Sequence, residues 1–399
     1  MKFSVLLPTR NRLEYLRYAV ETVRRQDYGN WEIIVSDNDS EEDIRGFVQS
    51  LSDARIKYVR TDSFVPVTDN WNNALSHSTG DYVVMLGDDD GLLPGYFSSV
   101  LKAFERFPEP DFVYVSALFY AYPGVMPDEP RGFLRRDRNQ VFTEQEPFWL
   151  DARRAEGIAQ GYLDFRMPVA SNMQFSLISR RKIQELSQGG AFFQSPYPDF
   201  YATPALFLKS SKILVYPYPM VVIGITPKSY GYFHFNNRAT DGVNFLKNGQ
   251  QLSGPSSVES LMLPGTSYND SWLMAMEALR VNHSGQRNML PNYRRYRFLQ
   301  IVHSFKRCYY DRSFPAANLA PLRARMNPLE KLVYGIGMPI GFSLMRAIPT
   351  GLRSGLISRL RRLIGQHAIA NESATERHFT NLVQVFESMD SRPDVASSH

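Results

Sequence analysis

The sequence predicts an α/β fold in which a mostly parallel central sheet is covered by helices on both faces and followed by a mainly helical C-terminal extension. Three observations predict it. Strand-like and helix-like runs alternate through residues 1–120. The strand runs are continuously apolar, as in parallel strands buried on both faces. The length of 399 residues exceeds one ordinary compact domain and fits a core of about 200–250 residues with added parts.

The elements follow in order. Phe3 to Leu7 is a strand run; at about five apolar residues before Pro8 it is too short for the core of a secretory signal. Leu13, Leu16, Val20 and Val23 have helical spacing, with Asn11 as the expected cap and Glu14 completing a capping box. Trp31–Val35 is a second strand, Ile44–Leu51 a short helix, Ile56–Val59 a third strand and Thr68–Ser78 a helix. Tyr82–Leu86 is the fourth strand, Pro94 opens a helix to about Phe107, and Phe112–Val115 is the fifth strand. Residues 121–165, rich in proline and charge, read as an irregular mobile loop, and 168–235 return to mixed patterns.

Composition narrows the function. The chain is 43% hydrophobic and 21% charged, enough to bury a core. Cys308 is the single cysteine, which excludes an internal disulfide and a thiolate zinc site and suits a reducing compartment. A net charge of +5 does not by itself indicate nucleic acid. No stretch reaches the roughly 18 uncharged apolar residues of a membrane span. The expected location is therefore cytoplasmic.

In parallel sheets ligands collect beyond the carboxyl ends of the strands. Three polar loops lie there: Pro8–Arg12, Ser36–Ser40 and Gly87–Gly91. The third carries Asp88, Asp89 and Asp90 directly after an apolar strand. Three adjacent carboxylates repel one another unless something positive sits among them, and a hard divalent cation on a diphosphate would balance them. A solvated acidic turn is the plain alternative. An Asp in the second loop could accept from a ribose hydroxyl or a base N–H, or simply cap a helix. Arg10 and Arg12 in the first could clamp phosphate.

The run Pro8-Thr9-Arg10-Asn11-Arg12, then Ser36-Asp37-Asn38-Asp39-Ser40, then Asp69-Asn70-Trp71-Asn72-Asn73-Ala74, then Gly80-Asp81 through Leu86-Gly87-Asp88-Asp89-Asp90 resembles family 2 glycosyltransferases of the GT-A fold. The resemblance covers residues 1–120 and fades through about 235. It implies a nucleotide-binding α/β/α sandwich whose Pro8, Thr9, Arg10, Arg12, Asp37 and Asp39 hold the nucleoside, with Asp69 and Asn72 beside the donor sugar. Asp88–Asp90 would match the DXD motif that contacts ribose and holds Mn²⁺ or Mg²⁺, with Asp90 the main metal ligand, Asp88 its partner and Asp89 on the nucleotide-sugar. Gly87 stands where many members carry another Asp, so the register of the metal ligand within 88–90 stays open. The donor that this resemblance implies is a UDP-sugar.

Inversion at the anomeric carbon needs one general base. By the resemblance the base is Asp199, in Ser195-Pro196-Tyr197-Pro198-Asp199, with Asp241 a second candidate. Capping of the helix through Leu208 is the plain alternative. Ser171, Asn172 and Tyr197 are placed on the acceptor side, and His234 is a further metal candidate. The expected organisation is a catalytic domain over 1–235 (1–120 for the nucleotide-sugar, 121–235 for the acceptor), a connection over 236–290, a basic helical extension over 291–385 and a disordered tail over 386–399.

Lys331 to Asn371 contains no Asp or Glu, although 40 in 399 residues would place about four there. Leu352, Leu356, Leu360 and Leu363 share one helical face among arginines, a pattern that fits an amphipathic basic helix. Segment 333–365 is therefore a candidate for contact with the inner face of a membrane, packing on the catalytic domain or a homo-oligomer contact being the alternatives. The expected partners are a nucleotide-sugar and a glycan or lipid-linked acceptor. A metal-dependent nucleotidyltransferase is the competing enzyme class, disfavoured because Pro8–Arg12 has no glycine. A non-catalytic relative is the third reading.

Overall fold

The computed structural model describes residues 1–125, 132–136, 142–194, 197–227, 229, 258, 260–283, 289–311, 314–347 and 378–390. The first half builds as the periodicity predicts: β1 (Phe3–Thr9), α1 (Leu13–Arg24), β2 (Trp31–Asp37), α2 (Ile44–Ser50), β3 (Ile56–Arg60), α3 (Val67–Ser76), β4 (Tyr82–Met85), β5 (Gly91–Leu92), α4 (Tyr96–Arg106) and β6 (Phe112–Ala121). The chain continues through β7 (Phe133–Arg136), β8 (Phe148–Trp149), α5 (Ala152–Leu163), β9 (Ser176–Ser179), α6 (Arg180–Leu186), α7 (Pro198–Lys209) and β10 (Ile213–Ile225).

One sheet runs β3-β2-β1-β4-β9-β6-β10-β5, with β7 on β6 and β8 on β10. The ladders β1–β2, β2–β3, β1–β4 and β6–β10 are parallel; the pairings made by β5, β7, β8 and β9 are antiparallel and of two to four residue pairs each. The continuous apolar runs have the predicted cause: every residue of β2 and β4 is buried.

Three expectations change. Residues 152–163 form α5, whose Ile158, Ala159, Tyr162 and Leu163 are buried, inside the stretch read as irregular. The alternation there is masked by flanking prolines and charges. Asn11 does not cap α1. It sits at φ 52°, its Oδ1 accepts from Glu41 N, the cap position is Arg12, and Leu13 N donates instead to Glu42 Oε2 at 2.5 Å. The helix after Pro94 begins at Tyr96, because Gly95 takes a left-handed turn at φ 71°.

The chain divides into two compact units. The first comprises Met1–Ala159, Pro168–Gly249 and Glu372–His399, so the helix Leu382–Asp390 belongs with the sheet. Residues 386–390, expected in a disordered tail, continue the helix Leu382–Asp390. Its Leu382 and Val385 are buried in a cluster with Leu93, Tyr120, Tyr122 and Val222, and Glu387 pairs with Arg25 at 2.7 Å. The second unit, Gln160–Met167 with Gln250–Asn371, has a core of Leu263, Ile301, Phe305, Leu319, Leu322 and Met326. Its described helices include Ser267–Asn282, Tyr293–Tyr310 and a stretch from Pro328 to Ala347 that passes through a π-helical segment, Lys331–Ile336. Among the described residues no helix is long and apolar enough to cross a membrane.

Candidate active site

Parallel pairing of β1 with β2 and β4 brings the Pro8–Arg12, Ser36–Ser40 and Gly87–Gly91 loops to one edge of the sheet. The carboxylates are buried: Asp88 and Asp90 are 3% exposed and Asp89 7%. The positive charge they require comes first from the protein. Arg12 Nη1 donates to Asp88 Oδ1 at 2.5 Å, and Nη2 donates to Asp89 Oδ2 at 3.1 Å and to Thr226 Oγ1 at 2.9 Å. Thr9 Oγ1 donates to Asp88 Oδ2 at 2.8 Å, and Ser229 Oγ bonds Asp89. Burial would lower the Arg12 pKa, but Asp88 and Asp89 outweigh it and raise it.

Asp90 has a different environment. Gly224 N donates to Oδ1 at 2.8 Å, while Gly87 N at 3.0 Å and Gln174 Nε2 at 2.5 Å donate to Oδ2. Both oxygens therefore brace the turn against β10 and the 3₁₀ turn Met173–Phe175. Burial first, then Asp89, holds the Asp90 carboxyl well above the usual range; burial pushes Asp88 up to about 6. Arg12 bonds two of the three carboxylates, so the turn carries a net negative charge once Asp88 and Asp89 are ionised, and carboxylates are the hard oxygen ligands that a divalent cation prefers. Gln174 Oε1, buried without a partner, adds an acceptor beside Asp90. Among the described residues no three His, Cys, Asp or Glu side chains converge as a complete cage. The donor set fits a cation that draws its remaining ligands from a diphosphate.

Gly224 is required by close approach. A Cβ there would lie 1.8 Å from the Asp89 carbonyl oxygen. Gly224→Ala should displace the acidic turn and cost about 1–3 kcal/mol of stability. Thermal denaturation of the variant checks this.

The neighbouring loops are fixed by their own contacts. Asp37 is fully buried; its Oδ2 accepts from Tyr58 Oη and Arg60 Nη1, each at 2.8 Å, and its Oδ1 from Ser40 N. Asp39, at φ 57°, pairs with Arg60 at 2.7 Å. Arg10 lies over the Phe64 ring, 3.8 Å from its centroid, and donates to Asn38 O. Pro8 is opposite Ser36 in the ladder. The asparagines of α3 do joining work: Asn70 and Asn73 bond Ser36, and Asn72 bonds the Phe193 backbone through both its nitrogen and its oxygen. Asp69 is exposed in the first turn of α3.

Asp199 occupies the first turn of α7, after Tyr197 at the cap and Pro198. Its Oδ1 accepts from Met173 N at 3.2 Å, and burial pushes its carboxyl up to about 7. The adjacent residue, Gln174, holds Asp90, so one short turn links the two acidic centres. Ser171 is buried and its carbonyl accepts from Thr203; Asn172 precedes the same turn; the Tyr197 ring stacks on Phe200 at 4.6 Å. His234 and Asp241 lie outside the described residues. Gln174, Gly224, Thr226 and Ser229 escaped the sequence reading, having no motif and coming from 84 to 140 residues away.

Residues 4–148 match the model of glycosyl transferase family 2. Over those residues the chain is similar to family 2 glycosyltransferases. Among similar proteins is the GalNAc(5)-diNAcBac-PP-undecaprenol beta-1,3-glucosyltransferase of Campylobacter jejuni, 39% identical over 104 residues, which are 25% of this chain and 34% of that protein. The Escherichia coli UDP-Glc:alpha-D-GlcNAc-diphosphoundecaprenol beta-1,3-glucosyltransferase WfgD is 31% identical over 87 residues, covering 22% of this chain and 34% of its own. WcaA of Escherichia coli K12, named for glycosyl transfer in colanic acid biosynthesis, is 27% identical over 254 residues, 60% of this chain and 81% of its own. The chain thus spans about a third of the length of the first two. The matched segment ends before Gln174, Asp199 and β10.

Proposed function

We propose that this protein is a family 2 glycosyltransferase that moves a hexosyl or N-acetylhexosaminyl group, with inversion, from a UDP-sugar to a hydroxyl of a glycan or lipid-linked acceptor. The observation that carries the reading is the buried Asp88–Asp90 turn with Arg12 as its one guanidinium, tied through Met173–Gln174 to Asp199. The undecaprenol-linked substrates in two relatives' names support a lipid-linked acceptor, and WfgD's name supports UDP.

Asp89 would be the main ligand of Mn²⁺ or Mg²⁺, because both oxygens of Asp88 and both of Asp90 already accept hydrogen bonds within the turn. This moves the metal assignment from Asp90 to Asp89. Bound there, such a cation would supply Lewis-acid stabilisation of a departing diphosphate. Arg12 places a fixed positive charge beside the same group. Arg10, the Ser36–Ser40 loop and the start of α3 border the nucleoside. Asp199 takes the proton of the acceptor hydroxyl as its oxygen attacks the anomeric carbon and the sugar–diphosphate bond breaks. A carboxyl pushed to about 7 is well matched to that task at neutral pH.

The test is a transfer assay with a panel of UDP-sugars and undecaprenyl-diphosphate-linked acceptors, reading product stereochemistry. Inverted product that depends on Asp199 is the expected result. A retained configuration, or turnover yielding pyrophosphate, would move the enzyme to another class.

A further inference from the structure

The helical stretch Pro328–Ala347 of the second unit is apolar on two faces. Tyr334, Met338 and Phe342 turn inward onto Ile301, Phe305 and Leu322, and Tyr309 Oη donates to Phe342 O at 2.7 Å. Leu329, Leu332, Val333, Ile336, Ile340 and Leu344 turn outward, each 47–68% exposed. At helical spacing these six form one continuous stripe. Scattered exposed apolar residues are ordinary, but a contiguous stripe marks a surface that is covered in use. A helix apolar on every side is normally buried in protein or lipid.

The surrounding charge selects the occupant. Arg323, Arg325 and Lys331 are exposed at the start of the stripe. Glu330, beside the start of the stripe, is neutralised by Arg297 through two contacts of 2.7 Å. From Lys331 to Asn371 the sequence has no acidic residue. An apolar face bordered by basic groups is complementary to an anionic lipid surface, with aliphatic chains in the acyl boundary and cations among the headgroups.

We infer that Leu329–Leu344 is an in-plane docking surface for an anionic lipid bilayer. It is independent of the transferase reading, because neither nucleotide nor acceptor is needed for it. The stripe lies in the interface and does not span the membrane.

The test is co-sedimentation of the full chain with vesicles of phosphatidylcholine alone and of phosphatidylcholine with phosphatidylglycerol. The comparison variant is Ile336→Asn, Ile340→Asn, Leu344→Asn, which alters exposed positions and should keep the thermal midpoint. Wild type should bind the anionic vesicles, and the triple variant should lose about tenfold or more of that partitioning. Binding should fall with added salt. No sedimentation, equal binding to neutral vesicles, or unchanged binding by the triple variant overturns the inference. A wild-type dimer in light scattering that the triple variant abolishes, without vesicle binding, would assign the face to a second copy.

Discussion

Asp199→Asn is expected to lower the transfer rate by about 10²–10⁴ while leaving nucleotide affinity within about twofold. The substitution keeps the shape and the acceptor for Met173 N but removes the basic oxygen. In wild type, the rate should rise with pH through about 7, where the Asp199 carboxyl ionises. Its pKa is raised in the folded chain, so its stability contribution is fully present below the ordinary carboxyl pKa of about 3.9. That contribution is lost as pH rises towards and through 7, because the unfolded chain ionises more readily. The Asn variant escapes this loss. It should be at least as stable as wild type at pH 8, while inactive. Single-turnover rates between pH 5.5 and 9, beside thermal denaturation at each pH, check both parts. A pH-independent variant with near wild-type rate would remove Asp199 from the chemistry and return it to a capping role.

Arg12→Met is expected to cost about 3–5 kcal/mol, the usual penalty for leaving buried charge without its partner. Arg12 meets Asp88 and Asp89 with its side chain 9% exposed, so solvent cannot replace it. If the account of the turn is right, Mn²⁺ should raise the thermal midpoint of this variant by more than it raises that of wild type. Protonation should also rescue it in part, so the difference between the proteins should narrow as pH falls. Denaturation with and without Mn²⁺ measures this. A variant as stable as wild type and insensitive to the cation would show that the acidic turn holds itself without a counter-charge.

The parts legible in the sequence share a physical basis. β1, β2 and β4 are local, rich in apolar residues and buried at every position except Pro8, so their pattern reports their environment directly. The acidic turn was visible because three adjacent carboxylates need an explanation wherever they fall. Its real counter-ion, Arg12, was in view as a phosphate clamp, but the pairing depends on β1 lying beside β4. The bracing of Asp90 could not be read at all. Gln174 belongs to a three-residue turn, and Gly224 lies near the end of a strand interrupted by Pro217 and Pro219 with register shifts. Those residues acquire meaning only once β10 lies beside β6. Asp199 was reachable because two prolines and an aromatic run announce a helix start, although the link to Asp90 through Met173–Gln174 is tertiary.

The most direct test of the central claim is calorimetric titration with UDP, GDP and dTDP, with and without Mn²⁺, comparing wild type with Asp89→Asn. The account predicts that one nucleotide, UDP first, binds wild type only when Mn²⁺ is present, and that Asp89→Asn loses this dependence and most of the affinity. Absence of nucleotide binding in every condition, or binding that ignores both Mn²⁺ and the substitution, would contradict it and leave Asp88–Asp90 as a structural turn.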